Sequence, residues 1–101
     1  HNFVLNGSGL KEAATLYAKD SGIRLTCFTD QPGMQLYVPA QSPAAHGKNG
    51  VSYPAYGSVC LETQHFPNAT SHPDFPSVIL KVGDTFKSKT VFHFSATSPK
   101  R

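Results

Sequence analysis

Short apolar runs with a period of two are the feature that most constrains how this chain can fold. Runs rich in Val, Ile, Thr, Tyr and Phe, in which apolar and polar residues alternate, recur between clusters of Gly, Pro, Asn and Asp. Such alternation is typical of β-strands, and helical spacing is nearly absent. The pattern predicts strands over residues 13–19, 23–29, 34–38, 58–64 and about 85–95. We therefore expect an all-β fold, with a sandwich as the default architecture.

Turn-forming residues separate these predicted strands. Asp20-Ser21-Gly22 predicts a hairpin between the first two strands, and residues 30–33 predict a tight turn. Residues 39–57 contain several prolines and glycines and show no regular period, which indicates a long surface loop. The proline-rich stretch from His65 to Pro76 indicates a second loop, because proline cannot donate a hydrogen bond to a strand ladder.

Length and composition limit the classes of protein to consider. With 101 residues, 39% of them hydrophobic and 15% charged, the chain has room for one domain with a packed core. Its nine Lys and Arg residues are scattered, which argues against a nucleic-acid surface despite a net charge of +3. No apolar stretch approaches the roughly 20 residues of a membrane-spanning helix. We therefore expect neither nucleic acid nor membrane as a partner.

The potential metal ligands and nucleophiles give no strong signal. Two cysteines, Cys27 and Cys60, are too few for a chain held together by disulfides, so reduced thiols in a cytoplasmic protein are the better interpretation. No histidine stands at a spacing that would make either thiol a nucleophile. His65, His72 and Asp74 match no strong zinc template, and no metal site is expected there.

Two polar side chains interrupt otherwise apolar strands. In the third predicted strand Met34, Leu36 and Val38 should face the core, which places Gln35 on the opposite face. In the fourth predicted strand, the alternation places Glu62 on the polar face. Fixed polar groups beside an aromatic surface are what a sugar hydroxyl requires, and Tyr37 and Phe66 lie close in sequence to supply that surface. On the residues alone, an ordinary exposed strand face explains this pattern better than a sugar site does.

Four blocks of the sequence follow a recognisable order. The most distinctive is Cys-Leu-Glu-Thr-Gln-His-Phe-Pro-Asn-Ala at residues 60–69. The others are His-Asn-Phe-Val-Leu at residues 1–5, Thr-Asp-Gln-Pro-Gly-Met-Gln-Leu-Tyr at residues 29–37, and Gly-Lys-Asn-Gly at residues 47–50. Together they resemble the aldose 1-epimerase (galactose mutarotase) family. The resemblance implies that residues 1–101 are the C-terminal part of a single, incomplete aldose 1-epimerase domain, within the large antiparallel β-sandwich of that family.

The resemblance also implies an activity and a site. It assigns Glu62 as the catalytic general base and Gln35 as a substrate-binding residue, for interconversion of the α and β anomers of aldohexoses such as galactose and glucose. No cofactor is implied, and the complete protein is expected to be a monomer. The family's catalytic histidine and a sugar-binding aspartate match no position in this chain. We therefore expect the 101-residue chain alone to be inactive and, with uncovered sheet edges, prone to associate.

Two other functions fit parts of the same pattern. A non-catalytic β-sandwich carbohydrate-binding module could use the same polar strand faces without turnover. An enzyme acting on phosphorylated sugars would need arginine near the site, and the chain offers only Arg24 and Arg101.

Overall fold

The computed structural model describes residues 1–41 and 46–97 and consists of two antiparallel sheets. Residues 42–45 of the predicted first loop, and residues 98–101 with Arg101, lie outside the described residues. The strands are β1 (Asn2–Val4), β2 (Lys11–Ala18), β3 (Ile23–Thr29), β4 (Gly33–Tyr37), β5 (Cys60–Gln64) and β6 (Thr90–Ala96), with single 3₁₀ turns at Lys48–Gly50 and Ala69–Ser71. Sheet A has the strand order β1-β4-β5 and sheet B the order β2-β3-β6. The all-β prediction is confirmed. No helix in the described part of the chain is long and apolar enough to cross a bilayer.

The β2–β3 hairpin forms where the sequence predicts it. The two strands pair antiparallel from Ala18↔Ile23 to Lys11↔Thr29, with a bulge between Glu12 and Ala14. The turn requires Gly22, whose φ of 74° lies in the left-handed region that other residues adopt at a cost. A Cβ on this residue would also lie 2.1 Å from the carbonyl oxygen of Thr97. Both the dihedral angle and the available space therefore select glycine.

Four of the five predicted strands have other boundaries than the observed strands, and one strand is missing from the prediction. The last strand begins at Thr90 and not at residue 85. The backbone N–H of the preceding residue, Lys89, donates to the Asp30 carboxylate and not to the backbone of a neighbouring strand. The strands predicted at 13–19 and 34–38 begin and end earlier, as β2 and β4, and the strand predicted at 58–64 is shortened at its start to β5. Strand β1 was not predicted, because three residues are too few to show alternation.

The link between β3 and β4 carries the chain from sheet B to sheet A. A half-buried lysine fixes this link: Lys11 Nζ donates to the carbonyl oxygens of Thr29 at 3.2 Å and Gln31 at 2.8 Å. The Gln31 side chain is buried at 7% exposure. Its Nε2 donates to Ser88 Oγ at 2.6 Å, and its Oε1 accepts from His65 Nδ1 at 2.7 Å. Gln31 thus ties the end of β5 in sheet A to the entry of β6 in sheet B.

The interior between the sheets is thinly filled. A hollow of about 240 Å³ separates them and is lined by Phe3, Met34, Leu36 and Leu61 from sheet A and by Ala14 and Leu16 from β2. Met34 is buried as predicted, but Leu36 and Val38 remain 39% and 40% exposed because little packs against them. The radius of gyration, 17.2 Å, exceeds the roughly 13 Å of a compact domain of about 100 residues. The sheets therefore leave much apolar surface open.

Candidate active site

A row of three polar side chains crosses sheet A. In the ladder, Gln35 of the central strand β4 stands opposite Asn2 of β1 on one side and opposite Glu62 of β5 on the other. Side chains of directly opposed residues project from the same face of an antiparallel sheet, with Cβ atoms about 5 Å apart. The two residues singled out from the sequence, Gln35 and Glu62, therefore lie side by side. This face is opposite the one that lines the hollow between the sheets.

The Glu62 carboxylate is free to bind a ligand. Its side chain is exposed, whereas that of Gln35 is half-buried. Within residues 1–41 and 46–97, the Glu62 carboxylate has no hydrogen bond or ion pair. A carboxylate held on a strand without an internal partner can accept a hydrogen bond or a proton from a bound molecule.

A second pair of residues supports this row. Gln64 lies on the same face of β5 as Glu62, and its Nε2 donates to Asn2 Oδ1 at 3.1 Å and, more weakly, to Gln35 Oε1 at 3.5 Å. The Asn2 side chain lies over Gly33, where a Cβ would be 2.6 Å from Asn2 Oδ1. The absence of a side chain at Gly33 therefore makes room for Asn2 to reach Gln64.

Aromatic side chains flank the polar row on both sides. Tyr37, two residues beyond Gln35 on the same face of β4, is 53% exposed. On the other side, Phe66 lies near Gly33, with its Cδ1 3.1 Å from the position a Cβ would take. Phe66 packs edge-on against Phe75 at 5.2 Å between ring centroids. Polar groups between two aromatic rings form the kind of surface that binds the hydroxyls and the apolar faces of a sugar.

The back of β5 is anchored to sheet B. Thr63, which faces the interior, shares a hydrogen bond of 2.9 Å with the Thr90 hydroxyl, and Thr90 shares one of 3.0 Å with Thr29. In the described structure β5 pairs with β4 alone and is an edge strand. The threonine chain and the Gln31–His65 bond therefore stabilise the strand that carries Glu62 from behind.

The other chemically notable residues lie elsewhere. Instead of facing a common metal, His65 bonds Gln31, and His72 stacks on Phe75 at 4.5 Å. No group of three His, Cys, Asp or Glu side chains suited to a metal occurs in the described part of the chain. Arg24 lies over the ring of Tyr17 in sheet B, at 4.8 Å from its centroid.

The two thiols differ in their surroundings. Both Cys27 and Cys60 are free. Cys27 is fully buried in β3, and burial raises the pKa of its thiol above 9.0. Cys60 is half-buried and stands opposite Tyr37 in the ladder.

Comparison with known proteins identifies the family. The profile of the family described as aldose 1-epimerase matches residues 1–93. The chain belongs to the aldose 1-epimerase family. The resemblance inferred from the four sequence blocks is thus confirmed.

Individual aldose 1-epimerases are similar along nearly the whole chain. Galactose mutarotases of Homo sapiens and Pongo abelii are each 41% identical over 97 residues, covering 94% of this chain. The aldose 1-epimerase of Haemophilus influenzae is 27% identical over 96 residues, covering 93% of it. The chain spans 28% of the length of each of these relatives.

Asn2, Gly33 and Gln64 adjoin the candidate site of this aldose 1-epimerase chain, and sequence reasoning did not single them out. Alternation alone places Gln64 on the face of Glu62, so that signal was available. The position of Asn2 depends on a three-residue strand whose partner is more than 30 residues away in sequence. Only the three-dimensional pairing brings it to the site.

Proposed function

We propose that the protein carrying this chain is an aldose 1-epimerase that interconverts the α and β anomers of aldohexoses such as galactose and glucose. Glu62 is the general base and Gln35 binds the sugar. The observation that supports this proposal is the pairing of Gln35 with Glu62 on one exposed sheet face, with the Glu62 carboxylate unpartnered in the described structure. The names of the relatives, galactose mutarotase and aldose 1-epimerase, agree with it.

The reaction requires one base and one acid. Glu62 takes the proton of the C1 hydroxyl as an acid protonates the ring oxygen, so that the C1–O5 bond breaks and C1 becomes an aldehyde. Rotation about C1–C2 and the reverse proton transfers then close the ring as the other anomer. Protons only move, and no redox step occurs, so the chemistry requires no cofactor. A positioned general base contributes about 10²- to 10⁴-fold to the rate of such a step.

The acid is proposed to lie in a part of the protein outside this chain. Among the described residues, no histidine is hydrogen-bonded to Glu62 or Gln35, and His65 is engaged with Gln31. Residues 1–101 would then form the C-terminal part of one aldose 1-epimerase domain, and the isolated chain would not accelerate mutarotation. The apolar side chains open on sheet B, such as Phe92 and Phe94, would also cause it to associate.

The test compares anomer exchange in matched glutamate variants. Proton NMR follows the anomer exchange of freshly dissolved α-galactose. The complete protein that carries this chain is compared with its variants Glu62→Gln and Glu12→Gln. Glu12 is an exposed glutamate of β2 whose carboxylate accepts a hydrogen bond from Thr15. We expect Glu62→Gln to lower kcat by at least about 10²-fold and Glu12→Gln to leave it unchanged. Wild-type turnover in Glu62→Gln would disprove the base assignment and favour a sugar-binding role without catalysis.

We propose a cytoplasmic location and a monomeric state for the complete protein. The two free thiols support the location, because disulfides form readily in secreted proteins. Cell fractionation and light scattering of the complete protein test the two proposals, and recovery from the medium or a stable dimer would contradict them.

A further inference from the structure

We propose that Asn2 and Gln64 are positioning residues that orient the Gln35 amide so that its Nε2, and not its oxygen, meets the substrate beside Glu62. This inference rests on the proposed function and deepens it. Neither residue is required to touch the sugar. Both act through Gln35.

The argument begins with the direction of one hydrogen bond. Gln64 Nε2 carries only hydrogens to donate, and it lies 3.1 Å from Asn2 Oδ1 and 3.5 Å from Gln35 Oε1. Asn2 holds the Gln64 amide by the shorter bond, so that the amide presents a donor to Gln35. The Gln35 side chain responds by turning its oxygen towards Gln64. Its Nε2 therefore points away from Gln64 and has no partner in residues 1–41 and 46–97.

The space above Gly33 makes this arrangement possible. Gly33 precedes Gln35 on the same face of β4 and stands opposite Gln64 and Val4. Any Cβ at this position would lie 2.6 Å from the Asn2 oxygen and 3.1 Å from its nitrogen. Because Gly33 has no Cβ, the Asn2 side chain can cross the sheet surface and meet Gln64. The bond between Asn2 and Gln64 thus depends on a residue that itself offers no polar group to a ligand.

The resulting polarity suits one kind of ligand group. A free N–H donor on Gln35 and a free carboxylate acceptor on Glu62 project from directly opposed positions, about 5 Å apart at Cβ. A hydroxyl can accept from the first and donate to the second at the same time. With the amide reversed, two acceptors would face that hydroxyl and one of the two bonds would be lost. The orientation of Gln35 is therefore expected to set the affinity for the sugar.

A double-mutant cycle tests whether Gln64 acts through Gln35. In the protein carrying this chain, Gln64→Met and Gln35→Met remove the amides at nearly constant side-chain length, and Gln41→Met at an exposed position serves as the control. We expect Gln64→Met to raise the KM for galactose about fivefold, as loss of one neutral hydrogen bond allows, with a smaller effect on kcat. In the Gln35→Met background the same substitution should raise KM no further. Gln41→Met should leave KM unchanged.

The variants of Asn2 provide a second route to the same answer. Asn2→Leu removes the acceptor for Gln64 and should raise KM about as much as Gln64→Met, whereas Asn2→Asp keeps an acceptor and should raise it less. Additive effects of the Gln64 and Gln35 substitutions would overturn the proposal, and so would an unchanged KM in Gln64→Met. If Gln64→Met does not fold, the same cycle with Asn2→Leu decides. Either failure leaves the loss of turnover in Glu62→Gln intact, so it is distinguishable from failure of the proposed function.

Discussion

His65 Nδ1 donates to Gln31 Oε1 across 2.7 Å, and this bond joins the end of the strand that bears Glu62 to the link between the two sheets. Only Nδ1–H can make the bond, because an amide oxygen has no hydrogen to donate. The bond therefore fixes Nδ1 as the donor and holds the end of β5 against the link between the sheets.

Replacing Gln31 by methionine is expected to destabilise the protein by about 2 kcal/mol, because loss of the buried amide leaves its hydrogen-bond partners unsatisfied. Its Nε2 and Oε1 bond Ser88 and His65, and the variant keeps the side-chain length but removes both bonds. Urea unfolding measures the change. Gln41→Met, at an exposed position, is the matched control and should shift the midpoint little. Equal midpoints for the two variants would show that the Gln31 amide contributes nothing.

Gly22→Ala is expected to destabilise far more than Gly9→Ala. Both glycines have positive φ, 74° and 66°, so each alanine should cost about 1 kcal/mol from the backbone alone. At Gly9 nothing lies within 4 Å of the new Cβ, whereas at Gly22 it would meet the Thr97 carbonyl oxygen at 2.1 Å. Thermal unfolding of both variants isolates the steric part. Similar melting temperatures for the two variants would show that the Thr97 carbonyl oxygen does not lie against Gly22.

The Asp30 carboxylate should make stability depend on pH in the acid range. The Lys89 backbone N–H, which donates to both carboxylate oxygens at 3.1 Å, is the main cause that holds the pKa of Asp30 below its ordinary value of 3.8, and the Ser88 hydroxyl adds to it. Because the folded pKa is the lower one, the unfolded chain binds more protons in this range. The stabilisation is therefore complete above pH 3.8 and is lost as the pH falls through the folded pKa.

The variant Asp30→Asn tests this pH dependence. It keeps an oxygen for Lys89 but cannot titrate, so its urea midpoint should fall less steeply than that of the wild type between about pH 5 and pH 2. At neutral pH the variant should be the less stable of the two, because a charged acceptor forms the stronger hydrogen bonds. Parallel curves for the two proteins would assign the acid sensitivity to other groups.

The two cysteines should react with a thiol reagent at different rates. Cys27 is fully buried and burial raises the pKa of its thiol, so both access and the thiolate fraction are low. Cys60 is half-buried and should react first in the native protein. With Cys60→Ser, we expect reaction at neutral pH only after denaturant is added. Rapid labelling of the native Cys60→Ser variant would contradict the buried position of Cys27.

Alternation in the sequence was sufficient to locate those strands that have one polar and one apolar face. It placed Ile23–Thr29 without error, and it put Gln35 and Glu62 on polar faces of their strands. It could not show that these two faces are the same surface, because β4 and β5 are separated by a long loop and their register depends on long-range pairing. The resemblance to the family supplied the link between the two residues before the structure did.

The remaining features escaped prediction for physical reasons. Residues 85–89 alternate like a strand, yet Ser88 Oγ and the Lys89 backbone N–H donate to the Asp30 carboxylate, and β6 begins only at Thr90. The role of Gln31 depends on partners that are 34 and 57 positions away in sequence. Such bonds between distant residues leave no periodic signal.

A crystal structure of the complete protein with galactose tests the central claim most directly. We expect one sugar hydroxyl to lie within about 2.7–3.2 Å of both Gln35 Nε2 and the Glu62 carboxylate. Galactose bound elsewhere, with neither side chain in contact, would contradict the claim that these two opposed residues of β4 and β5 form the site.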